Sequence, residues 1–144
     1  MKATILPIVT LLATLTLPLT ARADNPVHVQ QLLETGACAG CDLAGANLTA
    51  AHLIGADLRN ANLRDAVLVD ANLEGADLTG ANLQGANLTG AFVTNAVLNE
   101  ANLTAANLTN AEMINAQTFG ATLSNINISG ADIYGSGIGI GGEE

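Results

Sequence analysis

Two cysteines come closest to a chemical motif in this chain, because Cys38 and Cys41 are separated by two residues. A c-type haem site requires a histidine directly after such a pair, and here Asp42 follows. A zinc site requires further ligands, and only His28 and His52 are available. Three interpretations therefore stay open: a structural disulfide, which is favoured in an exported protein, two buried thiols, or redox or metal chemistry.

The sequence shows no other arrangement that is typical of an active site. The two histidines lack the spacing of a triad or a metal cluster, and no glycine-rich phosphate loop precedes a helix. Asp57 and Asp77 would share one outward column, but an exposed column of acids is usually a solvated surface. We therefore predict a protein that is not an enzyme and has no catalytic residue, no metal and no cofactor.

The elements that position these residues are five-residue units, which run from residue 41 to residue 140 without a slip in register. The purest unit is Gly85-Ala86-Asn87-Leu88-Thr89. Leu occupies the central position in most units, and Ala lies two residues earlier. A period of five matches neither the period of about 3.6 of a helix nor the period of about 2 of an uninterrupted strand.

A short extended segment followed by a corner explains this period. In such a segment the side chains of Ala-Asn-Leu point in, out and in. The next two residues are mostly Thr, Ser, Gly, Asn or Asp, which suit tight turns. Four such sides close a square of about 20 residues, so residues 20 apart are predicted to stack on successive turns. We number the four faces by their central residues: Leu43, Leu63, Leu83, Leu103 and Leu123 on the first; Leu48, Leu68, Leu88, Leu108 and Ile128 on the second; Leu53, Leu73, Val93, Met113 and Ile133 on the third; Leu58, Leu78, Leu98, Thr118 and Ile138 on the fourth.

The tandem Ala-Asn-Leu units resemble those of the pentapeptide-repeat family over residues 41–140. The resemblance implies an all-β solenoid, a right-handed quadrilateral β-helix of about five turns. The handedness is implied by the family and does not follow from the spacing. The family is abundant in cyanobacteria, so the resemblance favours the periplasm or the thylakoid lumen for an exported member.

Residues 1–23 have the parts of a signal peptide. Lys2 is the positive start, residues 3–19 are apolar, and Ala21-Arg22-Ala23 fits the cleavage site. An uncleaved membrane anchor is disfavoured because two prolines interrupt this short apolar segment. We therefore predict an exported protein that has no membrane contact after cleavage.

Residues 24–40 are predicted to form a capping helix and a lead-in to the repeats. Asn25-Pro26 is typical of a helix start, and Gly36 is typical of a helix end. Val29, Leu32 and Leu33 form an apolar stripe, and the helix would cover the open end of the first turn. Residues 141–144 are a short tail.

The chain has a net charge of −9 at pH 7, and loss of Lys2 and Arg22 with the signal peptide makes it more acidic. Such a protein should avoid nucleic acid and anionic lipid. The resemblance also offers a different function, that of an acidic nucleic-acid mimic, since relatives shield DNA gyrase. Export argues against this alternative because gyrase is cytoplasmic.

The outward columns offer two candidate surfaces. Thr49, Thr89, Thr109 and Ser129 form a hydroxyl column on the second face that could order water or bind ice, although Val69 interrupts it. A second set gathers most aromatic residues on one edge of the rod, which favours binding of a protein partner. This predicted partner surface comprises His52, Ile54, Phe92, Ile114, Phe119 and Tyr134.

The C-terminal turn is predicted to be a homodimer contact, because no helix is predicted to cover it. Exposed strand edges would lie beside Ile133, Ile138 and Ile140, and exposed edges invite pairing. Relatives in the family dimerise through this end. The sequence thus predicts a structural or protein-binding rod whose partner it does not name.

Overall fold

The computed structural model describes residues 25–139, which form one α-helix followed by a stack of short β-bridges. The predicted signal peptide (residues 1–23) and tail (residues 141–144) lie outside this range. Helix α1 spans Pro26–Thr35. It begins where Asn25 Oδ1 accepts the N–H of Val27 at 3.1 Å, and it ends at Gly36, whose φ of 69° lets its N–H reach the Leu32 carbonyl.

Helix α1 contacts the core of the repeats through one side chain above all. Leu32 is 1% exposed and lies in the same apolar cluster as the inward residues of the repeats, with Val29 packed against it. Leu33 was predicted to share this stripe but is 54% exposed. It lies about 100° further round the helix than Leu32, so its side chain is directed away from the core.

The predicted stacking of residues 20 apart is confirmed. Sixteen parallel bridges join such pairs, from Ala37 with Asp57 to Glu112 with Asp132. Three kinds of hydrogen bond recur along the ladder. An inward residue donates to the next turn, as Leu83 N–H does to the Asn102 carbonyl at 2.8 Å, and so does a corner residue, as Gly85 N–H does to the Thr104 carbonyl at 2.9 Å. An outward residue donates to the previous turn.

The predicted inward positions are also confirmed. The Ala residues at the inward positions from Ala56 to Ala116 and the central residues from Leu43 to Met113 are buried. Packing loosens in the last turn, where Leu123, Ile128 and Ile133 are only partly buried.

Asn and Asp have a local function that the in–out pattern did not predict. Asn87 Oδ1 accepts the backbone N–H of Thr89 at 3.1 Å and its hydroxyl at 2.6 Å. Asp77 does the same for Thr79. The outward Asn or Asp therefore satisfies a corner N–H that the ladder leaves free. We call this outward place in each unit the Asx position.

Among residues 25–139, the hydrogen-bonded ladder ends at Tyr134. Its last hydrogen bond joins Asn115 N–H to the Tyr134 carbonyl at 2.8 Å. Gly137 follows at an Asx position, where it offers no side-chain acceptor and adopts a φ of 72°. Ser136 and Ile138, at the inward positions of this unit, are buried. Among the described residues the hydrogen-bonded ladder therefore reaches Tyr134, and the β-helix boundary at residue 140 stays a prediction.

Candidate interaction surface

The third face brings together most of the predicted partner surface. The bridges place His52, Phe92, Glu112 and Asp132 in one column. Tyr134 lies one turn beyond Ile114 in the next column, and both columns were predicted. The exposed fractions are 63% for Ile54, 41% for Phe92 and 77% for Tyr134, whereas Ile114 is half-buried.

Phe92 occupies an Asx position and therefore leaves the corner without its usual acceptor. Among the described residues the N–H of Thr94 has no hydrogen-bond acceptor. Val97 creates the same situation on the fourth face, at the N–H of Asn99. An exposed phenylalanine at this position therefore costs the corner a hydrogen bond that Asn would supply.

Phe119 lies round the corner from Ile114 on the fourth face and is 83% exposed, which agrees with its predicted place. Its backbone N–H is held by Asn99 Oδ1 at 2.9 Å. Beside it the structure has a groove of about 510 Å³, which the sequence did not predict. This C-terminal groove is lined by Asn99, Ala116, Gln117, Thr118, Phe119, Gly135, Ser136 and Gly137.

The predicted dimer end is only partly an exposed surface. Ile138 is 8% exposed, because its side chain turns inward as predicted for a central residue, so it offers little contact area in the monomer. Ile133 is partly buried, and Ile140 lies outside the described residues. The homodimer stays a prediction.

Basic side chains are distributed unevenly along the rod. No Lys or Arg follows Arg64 in the sequence, whereas Glu100, Glu112 and Asp132 lie in the C-terminal half of the described range. The surface beside Phe92 and Phe119 therefore has a negative field with no basic side chain to neutralise it.

The column that holds Asp57 and Asp77 is an ion-pair site. Arg59 donates to both carboxylate oxygens of Asp57 at 2.8 and 2.7 Å, and its Nε lies 3.8 Å from Asp77 Oδ2. These hydrogen bonds lower the pKa of Asp57 from 3.8 to about 2. The stabilisation is present above about pH 4 and is lost as the pH falls toward 2, and it is small because the pair is exposed.

Cys38 and Cys41 form a disulfide with a Cα–Cα distance of 5.2 Å. Both are buried, at 0% and 5% exposed, as the register predicted. His28 Nδ1 accepts the Asp42 N–H at 3.0 Å. Within residues 25–139 no group of His, Cys, Asp and Glu is arranged to hold a metal ion.

We expect the chain purified from an oxidising compartment to contain no free thiol, because both sulfur atoms are used in this bond. Alkylation in denaturant should label neither Cys38 nor Cys41, whereas prior reduction should label both. Mass spectrometry counts the labels. Two labelled cysteines without reductant would contradict the disulfide.

The hydroxyl column of the second face is engaged in hydrogen bonds within the protein. Thr89 and Thr109 donate to Asn87 and Asn107 at 2.6 Å, and Asn107 Nδ2 donates to Thr89 Oγ1 at 3.0 Å. Asn127 continues the ladder by donating to Thr109 Oγ1. These hydroxyl groups bind the neighbouring turn as well as facing solvent.

The part of the chain that the structure describes contains no helix with the length and hydropathy required to cross a membrane.

A family match and two solved structures agree with this architecture. The pentapeptide repeats family matches residues 41–80 and 81–117, in 8 copies. A pentapeptide repeat protein from the thylakoid lumen of Arabidopsis thaliana is 35% identical, with a TM-score of 0.61 over 77% of this chain and 74% of that one. This chain belongs to the pentapeptide repeat family. Its structural neighbours in that family imply a right-handed quadrilateral β-helix.

Two further structures have lower similarity. QnrB1, a plasmid-mediated fluoroquinolone resistance protein, is 17% identical, with a TM-score of 0.52 over 65% of this chain and 58% of that one. A pentapeptide repeat protein from the cyanobacterium Cyanothece 51142 is 28% identical, with a TM-score of 0.37 over 74% of this chain and 93% of that one. A comparison with curated proteins gives no significant match.

Proposed function

We propose that this protein is a non-enzymatic rod that binds another protein in an exported compartment, the periplasm or the thylakoid lumen. The observation that carries the proposal is the third face, where the apolar side chains of Ile54, Phe92 and Tyr134 are exposed among polar and acidic residues in two adjacent columns. Clustered exposed apolar residues mark interaction sites more often than scattered ones do. The thylakoid-lumen neighbour and the predicted signal peptide support the compartment.

The architecture in this proposal is a right-handed rod of about five turns, capped by α1 at its N-terminal end. Leu32 supports the cap because it joins the core from the helix side. The gyrase-directed alternative gains no support from QnrB1, since 17% identity reports the fold alone. The ice-binding alternative gains none from the second face, because its hydroxyl groups bond to neighbouring asparagines.

Phe92 provides the test of the partner surface. Phe92→Asn supplies an acceptor for the Thr94 N–H, which stabilises the corner, and removes the packing of a half-exposed ring, which destabilises it. Because these effects nearly offset, we expect the free energy of unfolding to change by less than about 1 kcal/mol. Binding through the third face should fall at least about tenfold. The measurement is quantitative mass spectrometry of proteins that the immobilised chain retains from exported fractions of the source organism.

Val97→Asn is the matched control, because it supplies the same kind of acceptor on the fourth face without changing the third. We expect this variant to retain the same proteins as the unmodified chain. Equal retention by the Phe92→Asn and Val97→Asn variants would overturn the third face as the partner surface. Retention of no protein by the unmodified chain, relative to bare resin, would overturn the binding function.

The homodimer through the C-terminal end is part of the same proposal and is supported by the partly buried Ile133 beside exposed Tyr134. Sedimentation of the unmodified chain and of an Ile133→Asp variant at tens of micromolar checks it. A monomer for the unmodified chain would contradict it.

A further inference from the structure

The fourth face has an open strand edge where the chain leaves the register. One turn earlier, Leu98 and Glu100 donate their N–H groups to the carbonyls of Gln117 and Phe119. The corresponding donors one turn later are Thr118 and Gly120, whose acceptors in a continued ladder would be residues 137 and 139. Neither bond forms, although both acceptor residues lie within the described range.

A backbone carbonyl at the same edge, that of Ala116, also lacks a donor among the described residues. Gln117 N–H donates to the Ala96 carbonyl, but among residues 25–139 no N–H donates to the Ala116 carbonyl. Among residues 25–139, two donors and one acceptor therefore lack a ladder partner at three consecutive places. Open edges of this kind accept a further strand by backbone hydrogen bonding.

The C-terminal groove lies along this edge and gives a further strand space. Its other wall is the segment Gly135–Gly137, where the Thr118 hydroxyl donates to the Ser136 carbonyl at 2.6 Å. The exposed ring of Phe119 forms an apolar contact at the rim. A volume of about 510 Å³ lies within the range of specific ligand sites.

The charge of the residues around the C-terminal groove favours some partner segments over others. The Cγ atom of Glu100 lies 3.5 Å from the place that a Cβ atom would take on Gly120, so an acidic side chain adjoins the open edge. No Lys or Arg follows Arg64 in the sequence to neutralise this end of the rod. A basic segment is therefore favoured over an acidic one.

We propose that the C-terminal groove binds an extended, lysine- or arginine-containing segment of a partner protein, which adds a parallel strand to the edge at Ala116–Gly120. This inference rests on the proposed protein-binding function and places a second contact beside the third face. The partner's outward residue donates to the Ala116 carbonyl and accepts from Thr118 N–H, as Gln117 does with Ala96 and Leu98. Its basic side chains point outward toward the acidic surface, and its apolar side chains alternate with them.

The experiment uses the full chain and a labelled peptide, acetyl-Lys-Val-Lys-Val-Lys-amide, with fluorescence anisotropy and amide hydrogen exchange. We expect saturable binding and slower exchange at the Thr118 and Gly120 amides in the complex. The acidic peptide with Glu in place of Lys should not bind. N-methylation of the lysine amides should weaken binding about tenfold, because it removes the donor to Ala116. N-methylation of the valine amides is the matched control and should leave binding unchanged.

Two protein variants separate this inference from the third-face proposal. Phe119→Ser should weaken peptide binding, whereas Phe92→Asn should not. Absence of saturable binding, equal effects of the two N-methylated peptides, or protection outside residues 116–120 would each overturn the groove proposal. The third-face proposal depends on proteins retained by Val97→Asn but not by Phe92→Asn, so the two proposals fail independently. Edge-to-edge pairing of two chains, seen as a dimer whose Thr118 and Gly120 amides are protected without peptide, would overturn a basic partner as the occupant.

Discussion

An aspartate in place of Leu83 is expected to prevent the chain from folding. Leu83 is 0% exposed and lies at the centre of a middle turn, with the buried residues Leu63 and Leu103 stacked on either side. A carboxylate there would lose its hydration without gaining a partner, which costs several kcal/mol even if the group becomes protonated. The apolar packing of the leucine is lost as well, at about 2–5 kcal/mol. Together these costs match the whole stability of a typical domain, about 5–15 kcal/mol.

Gln84→Asp is the matched control, since it introduces the same side chain one residue later. Gln84 is outward, and its own N–H bonds to Asn82 Oδ1 independently of its side chain. We expect a stability change of less than about 0.5 kcal/mol. Circular dichroism on heating measures both variants. Equal melting temperatures would show that the in–out assignment of this unit is wrong.

The contrast between Leu83 and Gln84 could be predicted from the sequence because a period of five assigns every side chain a direction. The same arithmetic predicted the columns that hold His52 with Phe92 and Ile114 with Tyr134. It required only that the register continue, which the parallel bridges confirm from Ala37 to Asp132. The stacking of the turns and the column in which each of these residues lies therefore follow from periodicity.

The C-terminal groove could not be predicted in this way. Ser136, Gly137 and Ile138 fit the five-residue register in the sequence. The φ of 72° at Gly137 and the missing ladder bonds to residues 137 and 139 become apparent only in the structure. The sequence contained one indication of this change. Residue 137 occupies an Asx position, and a glycine there has no side-chain acceptor for the corner N–H. That Asn and Asp accept the corner N–H became apparent only from hydrogen bonds in the structure, such as the one from Thr89 N–H to Asn87 Oδ1.

Removing the side chain of Leu32 is expected to undock helix α1 from the rod. Leu32 is 1% exposed and is the buried residue of this helix, so Leu32→Ala should cost about 2–5 kcal/mol. An isolated helix of 10 residues is marginal in water, so α1 has little stability of its own once this contact is lost. The Asp57 N–H, which bonds to the Gly36 carbonyl at 2.8 Å, should then exchange faster with solvent.

Leu33→Ala is the control that separates docking from helix propensity. It makes the same substitution on the same helix, but Leu33 is 54% exposed, so we expect a change of less than about 0.5 kcal/mol. Amide hydrogen exchange at Gly36 and Asp57 and the denaturant midpoint are the measurements. If α1 caps the core, Leu32→Ala accelerates exchange at these amides first, while amides of the middle turns such as Leu83 keep their protection. Equal effects of the two variants, or uniform acceleration through the middle turns, would show that α1 is not a separable cap.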